Sequence, residues 1–184
     1  MPLRIDDIEM LFARHGANQY SGEPVTQLQH ALQTATFAEN TGVSDELVTA
    51  CLLHDLGHML NDQGETPTLR GVDDTHQYFA LPFLRGLFSE AVLNPIKLHV
   101  DAKRYLCQVD PGYWAALSED SKRSLQLQGG IYGTEDCADF IAKPGAIDAV
   151  NLRQWDDQAK QADMKTPTLA HFLQRAKSCV VHFP

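Results

Sequence analysis

Apolar residues along this chain recur at intervals of three and four, the spacing that places them on one face of an α-helix. The clearest stretch covers about residues 25–40, where Leu28, Leu32 and Ala35 share a face. Gly42 follows directly and suits the position just beyond a helix end. Alternating patterns typical of half-buried strands are nearly absent, so the pattern favours helices almost throughout.

The rest of the chain follows the same rule. Ser44 is expected to cap a second helix that extends through Leu56, and residues 63–74 are predicted to form a loop because they contain Gly and Pro. Pro82 and Pro95 are expected to kink or break their helices. Further helices are predicted over residues 75–87, 89–105, 118–128, 134–142, 146–162 and 168–179. The predicted fold is all-α, a single domain over residues 1–184, with a binding site between helices.

Composition narrows the classes of function. The chain has 184 residues, 43% of them hydrophobic, and a formal net charge of −9, which argues against nonspecific binding to nucleic acids or membrane surfaces. No apolar run approaches the roughly 20 residues of a membrane span, and the acidic first residues are unlike a signal peptide. The widely spaced cysteines predict a reducing, cytoplasmic location. They are Cys51, Cys107, Cys137 and Cys179.

Histidine and aspartate residues are the unusual feature. His54, Asp55 and His58 interrupt an apolar stretch, although an isolated His-Asp pair is more often a buried histidine beside a capping aspartate. Each of the further candidates taken alone is also compatible with a surface or capping role. Six such ligands suit two metal ions with Asp55 bridging them, and imidazole with carboxylate favours iron, manganese or zinc. The six candidate ligands are His30, His54, Asp55, His76, His99 and Asp156.

The order of these residues resembles the HD-domain superfamily, and more closely its two-metal branch of PhnZ-like enzymes. These are mixed-valence di-iron oxygenases that cleave carbon–phosphorus bonds. The resemblance is carried by residues 20–23, 27–30, 53–58, 99–106, 127–130 and 153–156. Its most specific parts are HVDAKRYL at 99–106, LQGG at 127–130 and RQWD at 153–156.

The resemblance implies a role for each matching residue. The six candidate ligands would hold two iron ions, Fe(II) and Fe(III), with Asp55 between them. Tyr20 would occupy an iron until substrate arrives, and Glu23 would receive an ammonium group of the substrate. The residues implied to bind substrate are Tyr20, Glu23, His58, Lys103, Ser121, Gln128 and Arg153. The residues implied to act in catalysis are His54, Asp55, His58 and Lys103.

Two local alternatives remain at this point. Lys103 and Arg104 are equally compatible with a solvated basic pair near a helix end, where the helix dipole favours cations. Residues 20–24 are equally compatible with a simple turn.

The implied reaction is oxidative C–P cleavage of a 1-hydroxyalkylphosphonate with O2, releasing phosphate and a carboxylic or amino acid. The substrate would be 2-amino-1-hydroxyethylphosphonate or its trimethylammonio analogue. A trimethylammonium group would prefer an aromatic cage. The aromatic candidates for such a cage are Tyr20, Tyr78, Phe79, Tyr105, Tyr113 and Trp114.

Other functions stay open from the sequence. An HD phosphohydrolase acting on a nucleotide or phosphate ester would use most of the same ligands. A noncatalytic metal-binding module and oxidative cleavage of inositol are further alternatives. The expected partners are a small phosphonate and O2, with no nucleic acid and no membrane, and the oligomeric state is not determined by the sequence.

Overall fold

The computed structural model describes residues 2–20, 22–61, 67–73 and 75–181. Within these residues the chain forms twelve α-helices and a short 3₁₀ helix, Pro67–Arg70. Only isolated β-bridges occur among the described residues, so the predicted all-α fold is confirmed. The α-helices are α1 Ile5–His15, α2 Gln27–Asn40, α3 Asp45–Leu53, α4 Leu56–Leu60, α5 His76–Phe79, α6 Leu81–Leu84, α7 Glu90–Val109, α8 Tyr113–Ala116, α9 Glu119–Leu127, α10 Thr134–Ile141, α11 Ala146–Gln158 and α12 Leu169–Ser178.

Capping residues set several helix ends where the sequence predicted them. Ser44 accepts a hydrogen bond from the backbone N–H of Leu47 at the start of α3. Thr26 and Gln29 bond each other's backbone N–H groups at the start of α2, which satisfies two donors that the helix itself cannot pair. Helix α9 ends before Gly129 and Gly130, whose φ angles of 97° and 72° suit glycine.

The prediction of one continuous helix from Ser44 through Leu56 is wrong at His54 and Asp55. Helix α3 ends at Leu53, and α4 begins only at Leu56. Between them Asp55 leaves helical geometry, with φ −100° and ψ 12°. The chain therefore bends at the His-Asp pair, and His54 and His58, although four residues apart, do not lie on one face of a continuous helix.

The two prolines behave differently from one another. The predicted helix over residues 75–87 is split into α5 and α6, with Pro82 in the first turn of α6, where a missing N–H costs little. Pro95 lies inside α7, which continues unbroken to Val109, so the expected break does not occur there. The predicted loop at residues 63–74 falls partly outside the described residues.

The central helix is α7, which packs against α3, α5, α10 and α11. The largest apolar cluster joins α3, α7 and α11 to α1, α2 and α12 through residues such as Leu53, Ile96, Leu152 and Phe172. Helix α1, which the sequence analysis did not predict, buries Ile5, Ile8 and Phe12 in this cluster. The core therefore surrounds the region where α2, α3, α7 and α11 meet.

Among the described helices, none combines the length and apolar character needed to cross a bilayer. The four cysteines are free thiols. The cytoplasmic location and the single domain over residues 1–184 stay predictions from the sequence.

Candidate metal centre

The first half of the centre lies between α2, α11 and the bend after α3. His30 Nε2 is 3.2 Å from His54 Nε2, 3.2 Å from Asp156 Oδ1 and 3.5 Å from Asp55 Oδ2. His54 Nε2 is 3.3 Å from the same Asp55 oxygen. Both histidines are completely buried. Four candidate ligands from three separate chain segments therefore present their polar atoms to one point.

The second half of the centre lies between α5, α7 and the other oxygen of Asp55. His76 Nε2 is 3.0 Å from His99 Nε2 and 3.3 Å from Asp55 Oδ1. His99 and His58 each place Nε2 at 3.8 Å from the same oxygen. The His58 ring stacks on the His76 ring with their centroids 4.2 Å apart. Asp55 Oδ2 thus faces His30 and His54, whereas Oδ1 faces His76, His99 and His58. A carboxylate in this position has the geometry to bridge two metal ions.

Backbone contacts fix how these imidazoles present their nitrogens. In three of them Nδ1 lies 2.7–2.8 Å from a carbonyl oxygen, which can only accept a hydrogen bond, so Nδ1 carries the hydrogen. Nε2 is then the ring nitrogen that faces the neighbouring carboxylates. Such a second hydrogen bond is the usual way a protein orients a metal-binding histidine. The pairs are His30 with Ala159, His54 with Cys51, and His99 with Ile96.

Two carboxylate oxygens in the centre are buried without a hydrogen-bond donor. They are Asp55 Oδ2 and Asp156 Oδ1, which face Nε2 atoms of His30 and His54. Burying a carboxylate oxygen unpaired is costly unless a cation compensates it. The donor set, histidine nitrogen and carboxylate oxygen, suits a divalent or trivalent metal ion. Two ligand groups have the required spacing, one formed by His30, His54 and Asp55 and the other by Asp55, His76 and His99.

The electrostatics of the metal-free centre follow from the same burial. Burial alone would lower the pKa of His54, but the neighbouring Asp55 and Asp156 carboxylates outweigh it and raise that pKa to about 9. Burial alone would raise the pKa of Asp55, but His54 and the other nearby histidines hold it well below its usual range. Burial and the neighbouring His76 and His54 hold the pKa of His99 well below its ordinary value. In the metal-free centre Asp55 therefore stays ionised, and His54 binds a proton more readily than His99 does.

A cavity of about 490 Å³ opens beside the centre. Asp55, His76, His99 and Asp156 reach its wall from the metal side, whereas His30 and His54 lie behind them. All of the residues that the resemblance assigned to substrate also line it. They are Tyr20, Glu23, His58, Lys103, Ser121, Gln128 and Arg153.

Lys103 reaches this cavity from inside the core. Only 2% of the residue is exposed, and its Nζ donates to Ser124 Oγ at 2.7 Å. Burial and the nearby Arg153 lower the pKa of Lys103 to about 7. The alternative of a solvated basic pair is therefore wrong for Lys103. Its neighbour Arg104 points elsewhere and donates to the carbonyls that follow α9.

Arg153 connects the cavity to the metal ligands. Its Nη1 lies 2.9 Å from Asp156 Oδ2, and its other nitrogens bond Asp157 and the hydroxyl of Tyr113, the latter at 3.1 Å. The residue is almost completely buried. A guanidinium can bond two carboxylates at once because its donors lie in one plane. Arg153 therefore orients Asp156 while presenting positive charge to the cavity.

Tyr20 and Glu23 belong to a tight turn that also forms part of the cavity wall, and their roles toward iron and substrate stay predictions. The Tyr20 ring stacks on His30 at a centroid distance of 3.9 Å. Burial and the nearby Asp55 and Asp156 carboxylates raise the pKa of Tyr20 well above its ordinary value, so the phenol keeps its proton. Glu23 Oε1 lies 2.9 Å from Lys160 Nζ.

The sequence analysis missed several residues that complete the site. Lys160 lines the cavity, Ser124 accepts from Lys103, and Asp157 holds Arg153. Asp157 carried a usable signal, because it lies four residues after Arg153 on a predicted helix. Lys160 carried none, because α11 ends at Gln158 and spacing no longer indicates which way a side chain points.

Comparison with known proteins adds two findings. The family model described as "HD domain" matches residues 28–128, which includes five of the six candidate ligands but not Asp156. A hydroxymethylphosphonate dioxygenase of Gimesia maris is 41% identical over 97% of this chain and 89% of its own length. The [1-hydroxy-2-(trimethylamino)ethyl]phosphonate dioxygenase (glycine-betaine-forming) of Leisingera caerulea is 38% identical over 91% of this chain and 86% of its own length.

Proposed function

Because this chain belongs to the HD-domain family, we propose that it is a dioxygenase that oxidatively cleaves the C–P bond of a 1-hydroxyalkylphosphonate. The observation that carries the proposal is the doubled histidine cluster, with Asp55 between its halves, opening into a cavity that contains Lys103 and Arg153. The two dioxygenases to which the chain is similar act on hydroxylated phosphonates, as their names state.

We propose that the centre holds two iron ions. His30, His54 and Asp156 would ligate one, His76 and His99 the other, and Asp55 both. Bound iron supplies the redox chemistry with O2 that amino-acid side chains lack. The protein fixes the ligands: carbonyl groups orient three of the imidazoles, and Arg153 orients Asp156.

The phosphonate would be held by the cationic side of the cavity. Lys103 and Arg153 offset the substrate's negative charge locally, although the whole chain carries −9. His58, Ser121 and Gln128 would add neutral or weakly basic hydrogen-bond partners. Gln128 Oε1 is buried without a hydrogen-bond partner, so this acceptor is available to the hydroxyl group of the substrate.

Tyr20 is proposed to control access to the centre. Its ring covers His30, and its protonated phenol lies among the carboxylates of the metal ligands. A rotation of the Tyr20 side chain away from His30 would open the metal site to substrate. In the closed form the ring excludes water from His30.

The balanced reaction defines the test. One O2 is consumed for each C–P bond broken, and both of its oxygen atoms enter the products, phosphate and a carboxylic acid. Aerobic, iron-loaded protein should release phosphate from 1-hydroxyphosphonates with equal uptake of O2, and should release none without O2. Phosphate esters test the alternative HD phosphohydrolase, which the names of the similar proteins do not favour.

The test variant is His99→Gln, which removes a candidate ligand. Its control is His171→Gln, because His171 is exposed on α12 and lies outside the cavity. We expect His99→Gln to lose iron and phosphate release together, and His171→Gln to retain both. Phosphate release from an ester that continues without O2 would contradict the proposal and establish a hydrolase.

A further inference from the structure

An ion pair occupies part of the cavity wall. Lys160 Nζ lies 2.9 Å from Glu23 Oε1, and about five sixths of each side chain is shielded from solvent. Lys160 Nζ also lies 3.4 Å from the hydroxyl of Ser118. Glu23 therefore already has a cation as its partner before any substrate enters.

The backbone holds Lys160 in this position. The preceding carbonyl, of Ala159, accepts the Nδ1 hydrogen of His30 at 2.8 Å. The following residue, Gln161, exchanges two hydrogen bonds with the side chain of Gln33, at 2.7 and 3.0 Å. Lys160 is thus attached to α2 on both sides, through the same helix that carries a metal ligand.

The turn that carries Glu23 is also fixed. The backbone N–H of Glu23 donates to the carbonyl of Tyr20 at 2.8 Å, and the side-chain amide of Gln19 donates to the carbonyl of Glu23. An antiparallel bridge between Gln19 and Thr26 closes the turn. Both partners of the ion pair are therefore placed by the fold and not by chance contact of two mobile side chains.

The Glu23–Lys160 ion pair affects which substrate substituents the cavity accepts. A substrate ammonium that reached Glu23 would either displace Lys160 or lie beside it, which places two cations next to one carboxylate in a partly desolvated space. Separating a shielded ion pair in this way is unfavourable, because one partner is left without compensation. A neutral substituent meets no such obstacle.

The described part of the cavity wall also lacks an aromatic cage that could bind a quaternary ammonium group in place of Glu23. Of the six aromatic residues considered from the sequence, only Tyr20 lines the cavity in the described part of the chain, and one face of its ring is stacked on His30. The cage that would hold a trimethylammonium group needs several open aromatic faces.

We infer that Lys160 is a specificity-determining residue that closes Glu23 to cationic groups, so that this enzyme acts on 1-hydroxyphosphonates without a cationic substituent. Hydroxymethylphosphonate is the simplest such compound. The inference rests on the proposed function and selects a substrate class within it. Sequence identity does not decide between these substrate classes, because the chain is 41% and 38% identical to two dioxygenases whose names give different substrates.

The test separates charge from size with a carbon isostere. The probes are hydroxymethylphosphonate, [1-hydroxy-2-(trimethylamino)ethyl]phosphonate and (1-hydroxy-3,3-dimethylbutyl)phosphonate, in which a tert-butyl group replaces the trimethylammonium group. Their dissociation constants are measured by calorimetry on iron-loaded protein without O2. We expect the wild-type chain to bind the isostere at least about tenfold more tightly than the cation, which is the expected size of a lost charge contact.

Lys160→Met keeps the length of the side chain and removes its charge. We expect the ratio of the two dissociation constants to shift by about tenfold or more in favour of the cation. In Glu23→Gln/Lys160→Met the shift should disappear, because the cation then lacks a carboxylate partner. Lys122→Met is the matched control: it breaks an ion pair with Glu119 outside the cavity and should leave the ratio unchanged.

Three results would overturn the inference. Equal rejection of cation and isostere by the wild-type chain would show selection by size. Equal weakening of all three ligands in Lys160→Met would make Lys160 a phosphonate contact. Tight binding and turnover of the cation by the wild-type chain would show that Glu23 accepts it. Ligand binding with no O2-dependent phosphate release would refute the proposed function alone, whereas binding of none of the three would refute both.

Discussion

Lys103 lies in a buried position, where a charged lysine normally destabilises the folded chain. It is buried beside Arg153, and burial with that neighbouring cation lowers its pKa to about 7. A buried ammonium costs free energy in the folded chain. The residue is explained if an anion compensates this cost during function, which is the role that the proposal gives to the phosphonate.

This predicts that Lys103→Met stabilises the metal-free protein and impairs its function. Between pH 7 and 10.5 the folded chain binds fewer protons at this residue than the unfolded chain does, so the wild-type protein gains stability as pH rises. Below pH 7 the cost of the buried charge is complete. We expect Lys103→Met to raise the free energy of unfolding by about 2 to 4 kcal/mol at pH 6, less at pH 9.

Urea unfolding at the two pH values measures this effect, and calorimetry with hydroxymethylphosphonate measures the expected loss of binding. The exposed Lys97, on the same helix, provides the control Lys97→Met, which should change neither quantity. A Lys103→Met protein that is less stable than wild type at pH 6 would contradict the assignment of a strained lysine.

At the scale of elements, the close approach of α4 to α5 positions the second half of the centre. A Cβ added to Gly57 would lie 2.1 Å from the backbone oxygen of His76, so any other residue there must push α5 away. His76 is the first residue of α5, and its imidazole faces Asp55. The absence of a side chain at position 57 therefore brings a candidate ligand into place.

We predict that Gly57→Ala lowers the iron content of fully loaded protein from two ions to one per chain. The reason is that His76 moves, whereas the ligands of the first half stay in place. Iron analysis after anaerobic loading provides the measurement. Gly112→Ala is the control, because its added Cβ would meet only a side-chain oxygen at 3.5 Å. Two ions in Gly57→Ala protein would show that α5 adjusts without loss.

Helix α11 presents Arg153, Asp156 and Asp157 toward one another, at spacings of three and four residues. Lysine at position 153 cannot bond both carboxylates with one planar group. We therefore predict that Arg153→Lys lowers kcat/KM by more than about tenfold, or ~1.4 kcal/mol, at equal iron content. Arg175 lies on α12 and bonds Glu39 and Asp45. The control Arg175→Lys should leave kcat/KM unchanged. An equal effect of the two variants would show that Arg153 has no special role.

The sequence predicted most helices but not the contacts that place the site. Capping at Ser44 and the ends at Gly42 and Gly129 are local, so they were readable from neighbouring residues. The bend at Asp55 was not, because its stability comes from packing of α4 on α5 and from distant ligands. The Glu23–Lys160 pair joins residues 137 positions apart and has no local signature. The roles of ligands and substrate residues came from the resemblance, since spacing alone left alternatives open.

At the scale of the whole molecule, the centre joins segments that are distant in the chain. The ligands come from α2, the bend between α3 and α4, α5, α7 and α11. Of these helices, α2, α7 and α11 also contribute residues to the largest apolar cluster. A metal bound by all of them stabilises the folded chain, because the unfolded chain does not hold these groups together. Metal binding and folding are therefore expected to be coupled, with a pH dependence set by protons on the ligands.

His54 determines the sign of that dependence. Its pKa, about 9 in the metal-free folded chain, lies above the ordinary value of 6.5. Its contribution to metal-free stability is thus complete below pH 6.5 and is lost as pH rises through 9. A metal ion must displace the same proton, so metal affinity rises with pH over this window by up to about tenfold per pH unit. The stabilisation by metal, measured against the metal-free folded chain, therefore increases as pH rises.

We predict that anaerobic iron(II) raises the Tm by about 4 to 8 °C more at pH 8.0 than at pH 6.5. A pH change of 1.5 units corresponds to about 2 kcal/mol of metal-binding free energy for one displaced proton. Each kcal/mol shifts the Tm of a chain of this size by roughly 2 to 4 °C. Differential scanning calorimetry of metal-free and loaded protein gives the two differences. His171→Gln should retain the pH dependence, whereas His54→Gln should lose it. An equal metal-induced shift at both pH values in the wild-type protein would mean that His54 does not release the proton on metal binding.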